Sequence, residues 1–271
     1  MLALSITRPI RKKNTVITYS FVLARFKTEF EKRPINRIAS EEIFSFLAAL
    51  TEGKKQSTKY TWCAVLRAFF NHILHRYQLS FQNPCDSLMI RRVFRPPRIG
   101  AIPIIDREAV DEIIYTTKDK RNRLLLELQA RGGMRIGEVL KLTPCDIEGT
   151  RITLWNPKSG NEQEAVFIPK RVAGRLRTYI REQDIRSKGR VFPLTYGGAR
   201  YVVKKAGERM GVKLRPHDLR RFAATFASRS GIPLEVVSKV VLRHKNLATT
   251  QRYLGKVTDA EAARWIDRIY E

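Results

Sequence analysis

Six residues of the 271-residue chain have side chains suited to handling a phosphate, and they sit in short polar clusters. RPHDLRR sets His217 and Arg220 three apart at an expected helix start, so both point along one face and can share one phosphate. Arg135 follows RGGM at another expected helix start, with Glu138 three residues on to orient its guanidinium. Two planar guanidiniums clamp the non-bridging oxygens of a phosphate and balance charge as it builds. Lys158 sits in the turn NPKSGN, from which an ammonium can hand a proton to a leaving oxygen, and nearby arginines favour that release. The stretch RHKNLATTQRYLG holds His244 and, nine residues on, Tyr253. One tyrosine among nine is ordinarily a packed aromatic, and this stretch alone does not separate that role from a nucleophile.

What is missing narrows the chemistry. The sequence has no G-x-x-x-x-G-K-[ST] loop, no H-E-x-x-H and no tight carboxylate cluster for paired divalent ions. Phosphate chemistry here is expected to run on cationic side chains and a side-chain nucleophile, with no cofactor and no metal. His72 and His75 read as polar residues on a helix face, not as ligands.

The elements that must position these residues fall into two groups. In the first, apolar residues recur at helical spacing from Asn14 to Lys32. SEEIFSFLAAL follows with Ser40 as the expected N-cap, then a third helix from Thr58 to Tyr77, and QNPCD stops the unit. RRVFRPPRIGAIP, rich in proline and arginine, reads as an extended basic linker. Beyond it, DREAVDEIIYTT and KRNRLLLELQARGG read as helices, RITLW and EAVFIP as a hairpin around NPKSGNEQ, and the rest as helical apart from VFPL. The fold class is therefore mainly α with a small antiparallel sheet in the C-terminal part.

Charge names the partner class. Lys and Arg number 52 against 26 Asp and Glu, a net charge of +26, and the surplus is spread over both halves. With no membrane-length apolar run to serve, that surplus points to a polyanion, as does a two-part basic chain that can hold a duplex from two sides. A merely basic protein of ribosomal type and an RNA binder are the alternatives, but no aromatic platform or glycine loop for RNA is apparent. Three cysteines, Cys63, Cys85 and Cys145, fit neither a disulfide framework nor a zinc site, which implies a reducing interior. MLALSITRPIRKK places its charges after a short apolar run, the reverse of a secretory signal, so the expected location is the cytoplasm.

Taken in order, GMRIGE, NPKSGN, HDLRR and RHKNLATTQRY resemble the signature of the tyrosine recombinases, the phage-integrase and Xer type of site-specific DNA recombinase. NTVITYSFVLARF and NPCD are similar to that family's core-binding domain, so the resemblance spans nearly the whole chain. It implies a C-shaped two-domain clamp: a helical core-binding domain over 1–93, a linker over 94–103 and a catalytic domain over 104–271. It also implies that Tyr253 attacks the scissile phosphate to form a 3′-phosphotyrosyl bond. By the same resemblance, Arg135 and Arg220 hold the phosphate oxygens, Lys158 protonates the leaving 5′-oxygen, His217 takes the tyrosine proton and His244 hydrogen-bonds the phosphate. The implied partner is double-stranded DNA, with four copies on two sites and a monomer or weak dimer when free; the terminal helix with Trp265 and Ile269 would dock on a neighbour, the alternative being that it packs on its own domain. The implied role is integration and excision of a mobile element or resolution of chromosome dimers.

A catalytically inactive DNA-binding relative and a type IB topoisomerase-like relaxing enzyme are the rival readings. The full set of six residues speaks against the first and the helical N-terminal unit with its linker against the second. The chain departs from the family pattern at Arg221, where a histidine is common, at Arg243, where glycine is usual, and in RGGM. Arg243 is expected either to alter the turn before His244 or to add a phosphate contact.

Overall fold

The structure, a computed structural model, describes residues 13–97, 105–157, 160–251, 254 and 259–270. Its backbone contacts divide the chain into two compact units, Met1–Gly100 and Ala101–Glu271.

The first unit is helical: α1 (Lys13–Phe30), α2 (Ser40–Leu50), α3 (Gln56–Tyr77) and α4 (Leu88–Val93). Apolar residues three and four apart on α3, namely Cys63, Leu66 and Phe70, form one buried stripe against Val22 and Phe26 of α1 and Ile43 and Leu47 of α2. Phe26 packs edge-on to Phe46, Phe69 and Phe70. Ser40 is the first helical residue of α2 and not its cap; Ala39 takes the cap position, and its N–H donates to Glu42 Oε2 at 3.0 Å. The unit does not stop at QNPCD. Asn83 and Pro84 begin a short 3-10 turn, α4 comes next, and Phe94 is buried in the core. The Gln56 side chain donates to the carbonyls of Val93 and Arg95, both at 2.9 Å, which holds the start of the proline-rich stretch against α3.

The second unit begins with α5 (Arg107–Thr116), α6 (Lys120–Ala130) and the single turn α7 (Ile136–Val139). A three-stranded antiparallel sheet comes next: β1 (Ile147–Glu148), β2 (Arg151–Trp155) and β3 (Gln163–Phe167), in that order. The hairpin pairs Ile152 with Val166 and Leu154 with Glu164. The two-residue strand β1 is too short for its sequence to mark it. The chain then forms α8 (Lys170–Glu182), α9 (Tyr196–Glu208), α10 (Pro216–Arg229) and α11 (Leu234–Val236), which runs into a π-helical turn over Val237–Val241. Two short elements, α12 (Leu247–Gln251) and α13 (Asp259–Tyr270), complete it.

Helix α6 is the central post, buried on every side from Leu124 to Ala130 and packed by α10, α8 and α5. Total burial requires its one acid to be paired, and Glu127 receives the Arg175 guanidinium of α8 at 2.6 and 3.1 Å. Trp265 of α13 lies 3.5 Å from the Cβ position of Gly231, so this part of the terminal helix packs within its own unit. The three cysteines are free thiols. Among the described residues no helix is long and apolar enough to cross a membrane, and no group of acids, histidines and cysteines could hold a metal ion.

Candidate active site

The site is organised by the two glycines that end α6. A Cβ on Gly132 would lie 2.8 Å from the Ile168 side chain, and one on Gly133 would lie 2.8 Å from the Val241 carbonyl oxygen. The Gly-Gly turn is therefore pressed between the end of the sheet and the π turn, and only residues without side chains fit there. Gly133 also has φ +58, in the left-handed region. Its carbonyl accepts from Arg220 Nη1, while Arg220 Nη2 donates to the Leu242 carbonyl. Arg220 is 1% exposed and so ties α10 to both the Gly-Gly turn and the end of the π turn.

Arg135 caps α7. Its N–H donates to Glu138 Oε2 at 2.8 Å and its Nη1 to Glu138 Oε1 at 2.5 Å, so Glu138 orients the guanidinium as the spacing of three suggested. The Arg135 side chain keeps 22% of its surface, which leaves it reachable from solvent. Burial raises the pKa of the Glu138 carboxyl, but the charges of Arg243 and Arg135 and the hydrogen bonds from Arg135 outweigh it and hold it below its ordinary value.

His217 stands exposed in the first turn of α10, whose start is fixed by the Arg215 N–H donating to Asp218 Oδ2 at 2.9 Å. Its pKa is lowered, by partial desolvation first and then by Arg220, Arg135 and Arg221. Arg221, in the position where a histidine is common, pairs with Asp218 at 3.4 Å. The His244 backbone N–H donates to the Ser238 carbonyl at 2.9 Å. Its Nδ1 lies 3.1 Å from Thr250 Oγ1, which bonds Ser238 Oγ at 2.8 Å, and this chain of three groups orients the ring. Burial, then Arg220, Arg135 and Arg243, push its pKa down to about 4. Both imidazoles are therefore neutral near pH 7, each in the field of Arg135 and Arg220, and an approaching anion would be stabilised by the pair of guanidiniums.

Arg135, His217, Arg220 and His244 are thus gathered around one turn. Lys158 and Tyr253 lie outside the described residues. Arg243 adopts φ +50 and is buried, so the turn before His244 is made by an arginine in a conformation that favours glycine. Its guanidinium turns inward to Glu138 Oε2 at 2.8 Å and lies 3.5 Å from Glu164 Oε2, which answers the two expectations for this position: it shapes the turn and does not face outward. Glu164, Ser238 and Thr250 were not singled out from the sequence. For Glu164 a signal existed, because it shares a strand face with the fully buried Val166, and an acid on an inward face demands a partner. Ser238 and Thr250 carry no such mark.

The fold, taken with comparison to known proteins, identifies an enzyme of the tyrosine recombinase class. Residues 104–259 match the phage integrase family, and the chain belongs to that family. The tyrosine recombinase XerA of Saccharolobus solfataricus is 26% identical over 253 residues, covering 90% of this chain and 83% of that protein. The fold resembles that of the Tn1549 transposon integrase in complex with transposon right end DNA, with a TM-score of 0.73, 15% identity, and 97% of this chain and 96% of the other covered. XerH site-specific recombinase bound to palindromic difH substrate, in a post-cleavage complex, gives a TM-score of 0.73 at 20% identity, covering 95% and 80%.

Proposed function

We propose that this chain cleaves and rejoins DNA at specific sites through a covalent 3′-phosphotyrosyl intermediate on Tyr253. In this reading the Tyr253 oxygen attacks the scissile phosphorus as His217 takes its proton, a step helped by an imidazole that is neutral at pH 7. Arg135 and Arg220 balance the charge that builds on the phosphate oxygens, and His244 hydrogen-bonds the same group. The bond from phosphorus to the 5′-oxygen breaks, and Lys158 supplies the proton that oxygen gains. One phosphate ester bond replaces another, so attack by a different 5′-hydroxyl completes strand exchange without ATP.

The observation that supports the reading most is the meeting of Arg135, Arg220, His217 and His244 around one Gly-Gly turn in a chain of this family. The net charge of +26 suits a duplex partner, and DNA-bound solved structures share the fold. Four copies on two DNA sites, serving a mobile element or a circular chromosome, belong to the same proposal.

The test uses a pool of nicked suicide duplexes with randomised arms, incubated with the protein and resolved on a denaturing gel. The expected result is a covalent protein–DNA adduct, a released strand whose 5′-hydroxyl can be labelled by a kinase, and no adduct with Tyr253→Phe. Sequencing the trapped duplexes recovers the target. No adduct from the native chain, or an adduct that survives Tyr253→Phe, would overturn the assignment.

A further inference from the structure

Arg243, like Arg220, is a cation of the site that faces the protein instead of the solvent. Its side chain is 3% exposed, and each contact it makes is internal. Nη2 donates to Glu138 Oε2 at 2.8 Å and to the Gly133 carbonyl at 3.3 Å, Nη1 donates to the Val241 carbonyl at 2.9 Å, and Nε lies 3.5 Å from Glu164 Oε2. Glu138 takes the Arg135 guanidinium on Oε1, while its Oε2 accepts from both the Arg135 backbone N–H and the Arg243 guanidinium. Glu164, its side chain 8% exposed, belongs to β3, the strand just after the Lys158 turn in sequence. One buried guanidinium thus joins three segments: the start of α7 with Arg135, strand β3 of the β2–β3 hairpin, and the turn before His244.

We propose that Arg243 is a positioning residue that couples the β2–β3 hairpin to Arg135 and His244, acting through Glu138 and Glu164 and never touching DNA. The inference rests on the function proposed above and adds a residue to it. Without Arg243, Glu138 Oε2 is free to take the Arg135 guanidinium as well, and the carboxylate draws that guanidinium back from the phosphate. Glu164 becomes a buried carboxylate with no ion-pair partner among the described residues, and the hairpin shifts to bring it to water. Arg243→Gly also relaxes the left-handed backbone at this position, so the turn itself persists.

The experiment measures cleavage of a suicide duplex trapped by the native protein, together with affinity for a random-sequence duplex over a range of salt. Arg243→Gly should lower the cleavage rate about 10- to 100-fold, as expected for ångström-scale misplacement, with DNA affinity and salt slope unchanged. Arg243→Lys, whose point charge meets one carboxylate, should fall between the two. Adding Glu164→Gln to Arg243→Gly removes the orphaned charge and should recover part of the rate. A salt slope reduced by about 1 in Arg243→Gly would make Arg243 a phosphate contact and overturn the proposal. So would cleavage at the native rate, or a loss that neither Arg243→Lys nor Glu164→Gln relieves. If the native chain forms no adduct at all, the recombinase reading fails and this inference with it; a native adduct matched by Arg243→Gly defeats this inference alone.

Discussion

Replacing Gly133 by alanine tests how closely the Gly-Gly turn is held, and the structure supplies its own control. Gly133 and Gly149 share φ +58, but a Cβ on Gly133 would meet the Val241 carbonyl oxygen at 2.8 Å and Val241 Cγ1 at 3.0 Å, whereas one on Gly149 would meet nothing within 4 Å. Alanine in a left-handed conformation costs about 1–2 kcal/mol at either position. The smaller unfolded-state entropy of alanine offsets part of that equally in both. Pressing a methyl group into a backbone carbonyl adds about 1–3 kcal/mol at Gly133 alone, as overpacking does. Urea unfolding of the full chain, read by hydrogen exchange at peptides from α6 and α10, should show Gly133→Ala the less stable variant by that second amount. Because the Gly133 carbonyl receives Arg220 and Arg243, adduct formation should also slow, while Gly149→Ala cleaves as the native chain does. Equal destabilisation of the two variants would refute the close approach of the π turn on which the site's geometry depends.

Two further outcomes rest on the charges. His244, its pKa lowered from 6.5 to about 4, binds its proton less readily in the folded than in the unfolded chain, so its contribution is complete above pH 6.5 and is lost as pH falls through about 4. After discounting for partial exposure this amounts to about 1–2 kcal/mol. The urea midpoint of the native chain should therefore fall more steeply over that window than that of His244→Gln, and parallel curves would contradict the assignment. In the α6–α8 pair, Glu127 is 1% exposed and Arg175 40%, so the two ends are unequal. Arg175→Ala leaves the buried carboxylate only the more distant Arg123, 3.7 Å from it, and should destabilise by up to about 3 kcal/mol, more than Glu127→Gln does, and combining the two should recover stability. A larger loss in Glu127→Gln than in Arg175→Ala would reverse the argument.

The sequence made the regular elements legible where periodicity was strong. The stripe of Cys63, Leu66 and Phe70 marked α3, and the turn residues around NPKSGN marked the hairpin. Elements too short to show a period were missed: α4, with Leu88 85% exposed, and β1, with two residues. The extra backbone of the π turn has no signature in VSKVV, which reads as ordinary helix or strand. The positions of Arg135, His217 and Arg220 at or beside helix starts were readable because caps and spacing are local properties. The inward turn of Arg243 was not, since a left-handed arginine is locally unfavourable and is held by Glu138 and Glu164, both remote in sequence. Distance along the chain, more than residue type, set the limit.

The π turn over Val237–Val241 works as a phase shifter. The Leu242 N–H reaches back five residues to the Val237 carbonyl, so one residue more is accommodated than an α turn would hold. Each residue of an α-helix advances the chain by about 100° around its axis, and the same five residues in regular form would aim the next stretch of chain roughly that far away from Arg220 and Gly133. The bearing of His244 is thus a counting property of the backbone, set before any side chain of the site is chosen.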